Sequence, residues 1–470
     1  MKNFCIKSFL ITRIFYLIFV QLIFQTEFVT KRDFSADMIS DSKIDNISFI
    51  EKTLLNWLKV FLSYDGIHFE YIAKNGYIGD QLFCFYPFFP YCARCFVPFF
   101  KLFNCKNDNT PFILSGLLFN NILCFLNCLI LSNLIFEITK SKERGKISVL
   151  LFLINPGSIF FMAFYSENVY FFLSLLLVKE LISNNYNFFY YIKLCFIISG
   201  ILMTRSNGLV LLSFLIIPIF KIIFEQINQK QNNKKFTDDL LFNLKLFIDL
   251  ICQNIIFILL HIILCIYGFF FFYWMVNLRP KRIICKYANK LINNNGPTFT
   301  DYWNFCNNLK SPIKSIYNYL QNKYWSVSLF NQYHLINLDK ILLSLPMNIT
   351  GAYLIYKSYQ MFNFKSLMKF NLYNFFFSNI EQKKQNIIEE TFILGGLINF
   401  FVLFLTIILI AYISINNRLY TSHPLLYYWL SDDVLKYFKG ENKKGFIILL
   451  YFFSFSLLYF ITNIGGYNGI

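Results

Sequence analysis

An aspartate and a histidine three residues apart, Asp65 and His68, stand in the segment YDGIHFEYIAKNGYIGDQLFCFYPFFPY at 64–91. The chain around them is largely apolar, so ionisable groups gathered outside hydrocarbon are the natural seat of chemistry. Desolvation at an apolar boundary makes a carboxylate a better proton acceptor, which makes Asp65 a candidate general base. A plainer reading stands beside it. Aspartate is a favoured helix N-cap and glycine a favoured terminator, so Asp65 could simply cap a short helix ending at Asn75-Gly76. His68, one turn on, is placed to orient a substrate or contact a phosphate.

Glu167, in NPGSIFFMAFYSENVYFF, lies between two apolar runs and follows a Pro156-Gly157 pair that suggests irregular backbone. Arg205 occupies a similar hairpin, MTRSNGLVL, with Ser206, Asn207 and Gly208 after it. An arginine between two spans needs an anion: a phosphate, a carboxylate such as Glu167, or lipid headgroups. Arg418 opens a further polar stretch, RLYTSHPLLYYW, that contains His423. Asp249 and His261 sit in or beside an apolar segment, where a transporter could use them as proton relays. Snorkelling or helix–helix bonding explains Asp249 more simply.

A membrane bundle must position these groups. The chain has 470 residues, 56% of them hydrophobic, and a mean hydropathy of +0.49, too apolar for a soluble protein. A hydrocarbon core about 30 Å thick needs roughly 20 apolar residues per helical crossing. Such runs predict spans near 8–28, 112–136, 147–164, 167–183, 191–204, 207–224, 246–276, 341–356, 391–415 and 446–464, about ten in all. By that count Asp65, Glu167, Arg205 and Arg418 fall on one side. The expected organisation is one membrane domain over 1–470, with loops at about 29–111, 278–340 and 416–445 on the non-cytosolic side.

The net charge of +17 does not form a soluble basic face for nucleic acid. Lys140, Lys142, Arg144 and Lys146, then Lys230, Lys234 and Lys235, then Lys365, Lys369, Lys383 and Lys384 fall in loops of one side, assigned to the cytosol by the positive-inside rule. The opposite loop at 278–323 is also basic, as a phosphate-bearing ligand or plain solvation would allow. The N-terminus reads as a retained signal-anchor, and the sequon at Asn46 agrees with a lumenal first loop. EKTLLNWLKVFLS (51–63) has the pattern of an interfacial helix, and Tyr302, Trp303, Tyr324, Trp325 and Tyr333 place the second large loop at the membrane surface. The twelve cysteines are scattered; Cys92 and Cys95 have no second pair at zinc spacing, and a disulfide among Cys84, Cys105, Cys285 or Cys306 stays open.

Five ordered blocks resemble the PIG-V family of GPI mannosyltransferases: YDGIHFEYIAKNGY with FYPFFP, LFLINPGSIFFMAFYSE, TRSNGLV, YNYLQNKYWSVSLFNQY and RLYTSHPLLYYW. The chain departs from the family pattern at Tyr64, usually tryptophan, and at Phe88, usually glycine; neither touches the carboxylate. The resemblance implies an all-α polytopic GT-C-type glycosyltransferase of the endoplasmic reticulum, with lumenal interfacial helices. It implies α-1,6 transfer of the second mannose from dolichyl-phosphate mannose to the GPI precursor, by direct displacement with inversion. On that reading Asp65 is the base, and His68, Glu167, Arg205, Asn207, Arg418 and His423 bind substrate. Arg205, His68 and Arg418, in that order, would stabilise the leaving phosphate. No metal and no cofactor beyond the lipid-linked donor is expected, and the sequence leaves open whether a small membrane partner subunit is needed. Another dolichyl-phosphate-sugar transferase, or a lipid or solute transporter without chemistry, are the alternatives.

Overall fold

Long apolar runs become helices in a membrane protein because only there are all backbone groups bonded within the segment. The computed structural model describes residues 1–25, 49–62, 64–78, 81–103, 105, 107–183, 185–231, 240–291, 316–331, 333–334, 337–362, 387–410 and 415–464. Among these residues every regular element is a helix and none is a strand. Six helices are long and apolar enough to cross a membrane: Lys2–Ile23, Thr110–Thr139, Ser206–Ile227, Ile255–Lys286, Ile387–Leu409 and Lys444–Thr462. The protein is an all-α membrane protein. Most of its buried apolar side chains join one continuous core.

Several expected spans take another form. The run at 147–164 is not one helix: Lys142–Leu153 ends there, and residues 154–166 continue as buried turns. Helices Glu167–Ile182 and Phe188–Leu202 are shorter than a full crossing. The 207–224 run starts as a 3-10 helix, Ser206–Leu215, before Ile216–Gln231 becomes α-helical. Residues 416–445, expected as a loop, contain helices Asn416–Tyr420 and Pro424–Phe438, the second largely buried. The N-terminal helix is built into the bundle, where Tyr16 and Ser456 share a hydrogen bond of 2.7 Å.

The large first loop is itself helical. It holds Phe49–Leu58, a 3-10 turn Lys59–Leu62, Asp65–Asn75, Phe88–Arg94 and Val97–Lys101. Gly76 ends the helix at φ 79°, as expected of a terminating glycine. The expected cap is corrected, however: Tyr64 holds the cap position and Asp65 is the first helical residue. Cys285 takes part in a disulfide, whereas Cys84 and Cys105 carry free thiols. Asn46, Tyr302, Trp303, Cys306 and the lysines at 234, 235, 365, 369, 383 and 384 lie outside the described residues.

The turns at 154–166 are the element that matters most for the site. Irregular backbone is tolerated in such a protein only where other groups satisfy it. Here Arg13 donates to the Phe161 carbonyl at 3.0 Å and Asn168 donates to the same oxygen at 2.7 Å. Asn120 donates to the Ala163 carbonyl, and the Phe164 amide donates to the Phe61 carbonyl at 2.9 Å. That last bond ties the turns to the chain just ahead of Asp65. Gly157 brings the same turns against the 416–421 helix: a Cβ there would stand 2.8 Å from Thr421 Oγ1 and 3.1 Å from the Asn417 carbonyl.

Candidate active site

Four charged side chains from four segments meet in one line. Arg418 donates through Nη1 to Asp65 Oδ2 at 2.7 Å and through Nε to Glu167 Oε1 at 2.6 Å. Arg205 donates to the same Glu167 oxygen. The order is Asp65, Arg418, Glu167, Arg205, with signs alternating and a net charge of zero. Burial differs along it: the Glu167 side chain is fully buried, both arginines are mostly buried, and Asp65 keeps 28% of its side-chain surface exposed. Of the two carboxylates, Asp65 is the one open to the surroundings.

Each member is held by its element. Asp65 starts its helix, following Tyr64 at φ 52° and ψ −117°, a backbone region that an L side chain enters at a cost of about 1–3 kcal/mol. Such strain sits where the surrounding fold imposes it, here one residue before the exposed carboxylate. Glu167 is the first residue of its helix and leaves the 154–166 turns. Arg205 is extended, between Phe188–Leu202 and the 3-10 helix from Ser206. Arg418 lies in the short helix Asn416–Tyr420, which Asn416 anchors by donating to the Ser344 carbonyl at 2.8 Å and to Asn348 Oδ1 at 2.9 Å.

Aromatic faces complete the Arg418 pocket. Its guanidinium carbon lies 4.9 Å from the ring centres of both Phe160 and Tyr165. Burial works against its charge, yet the Glu167 and Asp65 carboxylates outweigh that and hold Arg418 protonated well above the ordinary arginine range. This arginine is committed to two carboxylates and two rings. Its guanidinium links the Asp65 carboxylate to that of Glu167. Among the described residues Arg205 has one carboxylate partner, Glu167.

His68 stacks on Phe85 with ring centres 4.5 Å apart. Burial pushes its imidazole below the usual 6.5, against the opposing pull of Asp65, so near neutrality it is uncharged. It can hydrogen-bond a substrate but brings no positive charge to a leaving phosphate. Asn207 follows the arginine; its backbone carbonyl accepts from Tyr170 at 3.5 Å, and its Nδ2 is buried without a hydrogen-bond partner among the described residues. His423 does not join the site. It is fully buried as the N-cap of Pro424–Phe438, with Nδ1 accepting from the Leu425 amide at 3.2 Å and Nε2 meeting Asn399 Oδ1 at 2.8 Å. Asp249 and His261 also stand apart from the cluster, and His261 bonds Tyr190 and the Phe257 carbonyl.

Reading the sequence alone missed the two adjoining rings that Arg418 packs against and the link between Tyr317 and Ser206, 3.0 Å long. The position of Phe160 and Tyr165 in the block around Pro156-Gly157 was the available signal.

A family model described as Mannosyltransferase (PIG-V) matches residues 2–462. GPI mannosyltransferase 2 of Drosophila pseudoobscura pseudoobscura is 22% identical over 420 residues, 87% of this chain and 86% of that protein. GPI mannosyltransferase 2 of Drosophila melanogaster is 26% identical over 322 residues, 65% of each chain. GPI alpha-1,6-mannosyltransferase 2 of Mus musculus is 24% identical over 298 residues, 61% of this chain but only 55% of the mouse protein. Among solved structures, the apo oligosaccharyltransferase of Archaeoglobus fulgidus aligns over 81% of this chain and 48% of its own, with 12% identity and a TM-score of 0.39.

Proposed function

The chain belongs to the PIG-V mannosyltransferase family, and from that premise we propose that it adds the second mannose, α-1,6-linked, to the GPI-anchor precursor. The donor is dolichyl-phosphate mannose, and the site opens to the lumen of the endoplasmic reticulum. No cofactor besides that lipid-linked donor enters the reading. The names of the mammalian relatives support the linkage.

One observation carries the mechanism: an exposed carboxylate, Asp65, held at 2.7 Å by an arginine that a buried second carboxylate holds in turn. Asp65 accepts the proton of the acceptor mannose 6-hydroxyl as its oxygen attacks the anomeric carbon. The bond from that carbon to the phosphate oxygen breaks on the opposite face. Dolichyl phosphate leaves with the electron pair, and the β-linked donor becomes an α-linked product. Arg205 faces the developing phosphate charge. Arg418 and Glu167 fix the carboxylate.

Complementation of cells lacking the second GPI mannosyltransferase tests the reading, with wild type and Asp65→Asn side by side. Wild type is expected to restore surface GPI-anchored proteins and Asp65→Asn to fail at equal membrane expression. Rescue by both would move the base elsewhere. Rescue by neither would remove the assigned acceptor, unless co-expression of the host's small partner subunit restores the wild type alone.

A further inference from the structure

The charged line joins a set of aromatic side chains, partly through contacts and partly through neighbouring residues of the backbone, to make a ring of residues. From Arg205 the chain passes to Ser206, whose hydroxyl accepts from Tyr317 at 3.0 Å. The Tyr317 ring meets Tyr86 with centres 5.8 Å apart. Phe85, beside Tyr86, stacks on His68 at 4.5 Å, and His68 lies one helical turn from Asp65. The ring is thus charged from Asp65 to Arg205 and aromatic from Tyr317 to His68.

The aromatic half reaches the surface through Trp325. Its ring meets Phe85 edge-on, with centres 5.8 Å apart and planes at 77°, and 36% of the residue is exposed. Trp325, Phe85 and His68 form three aromatic steps that descend to within a turn of the candidate base. Two buried polar atoms bordering this ring, His68 Nδ1 and Asn207 Nδ2, have no hydrogen-bond partner among the described residues. Unpaired buried polar atoms are costly, and a ligand that pairs them recovers the loss. A sugar ring has the matching chemistry: apolar C–H faces for aromatic surfaces and a rim of hydroxyls for such polar atoms.

We infer that Trp325, backed by the buried Phe85 and its stack on His68, is the platform that binds the acceptor's sugar ring, an assignment that rests on the proposed mannosyl transfer. The choice of acceptor over donor follows from displacement geometry. The attacking and leaving oxygens stand on opposite sides of the anomeric carbon. The leaving phosphate belongs at Arg205, so the attacking sugar belongs beside Asp65, where the aromatic steps end.

The test uses membranes from cells expressing the full chain, dolichyl-phosphate mannose as donor and a synthetic mannosyl-glucosaminyl-inositol phospholipid as acceptor. Trp325→Ala is expected to raise the acceptor KM about tenfold, the scale of one aromatic contact, while leaving the donor KM unchanged. Trp325→Phe keeps a ring and should recover most of the loss, separating stacking from folding. A rise confined to the donor KM would overturn the assignment. So would unchanged constants for both substrates, which would make Trp325 an interfacial belt residue. Failure of the underlying reading is distinct: the wild type would then transfer no mannose to this acceptor, or Asp65→Asn would transfer as fast as wild type.

Discussion

Glu167 and Asp65 carry the same charge in opposite settings, and their substitutions should fail differently. Glu167 is fully buried between two guanidinium groups. Glu167→Gln leaves both arginines short of a counter-charge, a loss on the order of 3–5 kcal/mol. Its thermal midpoint in detergent should fall markedly, along with transfer. Asp65 is partly exposed at the end of the line, and its loss leaves Arg418 still paired with Glu167. Asp65→Asn should melt close to wild type and transfer no mannose. Equal melting of the two variants would show that the carboxylates share one structural role. His68 adds a pH dependence. Its native value lies below the unfolded 6.5 because of burial, so the stability it contributes is present above 6.5 and is lost as pH falls through the depressed value. His68→Phe keeps the stack on Phe85 and cannot protonate. Its melting midpoint should therefore fall less than the wild type's between about pH 7 and about pH 5.

At the scale of elements, the 154–166 turns bring Glu167 and Arg418 together, and Gly157 is the close approach that lets them. Gly157→Ala places a methyl group 2.8 Å from Thr421 Oγ1 and 3.1 Å from a backbone carbonyl, which cannot simply rotate away. The expected cost is about 1–3 kcal/mol, the range of overpacked cores. Transfer should drop with every charged residue still in place, because the helix carrying Arg418 is displaced; transfer rates normalised to folded protein check this. Much of the site was legible from sequence. Asp65, Glu167, Arg205 and Arg418 stand out because each interrupts an apolar background, and an ion in such a background needs a partner. The turns were counted within the span at 147–164 although Pro156-Gly157 suggested irregular backbone, since composition does not show the bonds by which Arg13, Asn120 and Asn168 from other helices hold them. Phe160 and Tyr165 were missed for another reason: among 61 phenylalanines and 31 tyrosines, only their place in the block around Pro156-Gly157 sets these two rings apart.

Across the whole molecule, a second ionic cluster balances the first. Lys357 donates to Asp433 at 2.7 Å and to Asp432 at 3.3 Å, Tyr353 donates to Asp433 at 3.0 Å, and Lys436 pairs with Asp432 at 2.9 Å. These residues explain why 416–445 misled the sequence reading. Two aspartates and a lysine in a 15-residue helix look like a loop, until Lys357 on another helix neutralises them. Asp433 lies ten residues beyond His423 on a helix rising about 1.5 Å per residue, so the cluster is roughly 15 Å from the segment that carries Arg418. It ties the Leu338–Tyr359 helix to the Pro424–Phe438 helix, away from the Asp65–Arg418 site. Lys357→Met keeps the bulk of the stem and strands the buried Asp433 carboxylate, a loss on the order of 3–5 kcal/mol. The variant should melt earlier in detergent and yield less folded protein, yet show wild-type KM for donor and acceptor per folded molecule. A changed KM would mean that the two ends of these helices are coupled, and that the clamp sets the position of Arg418 as well as the stability of the bundle.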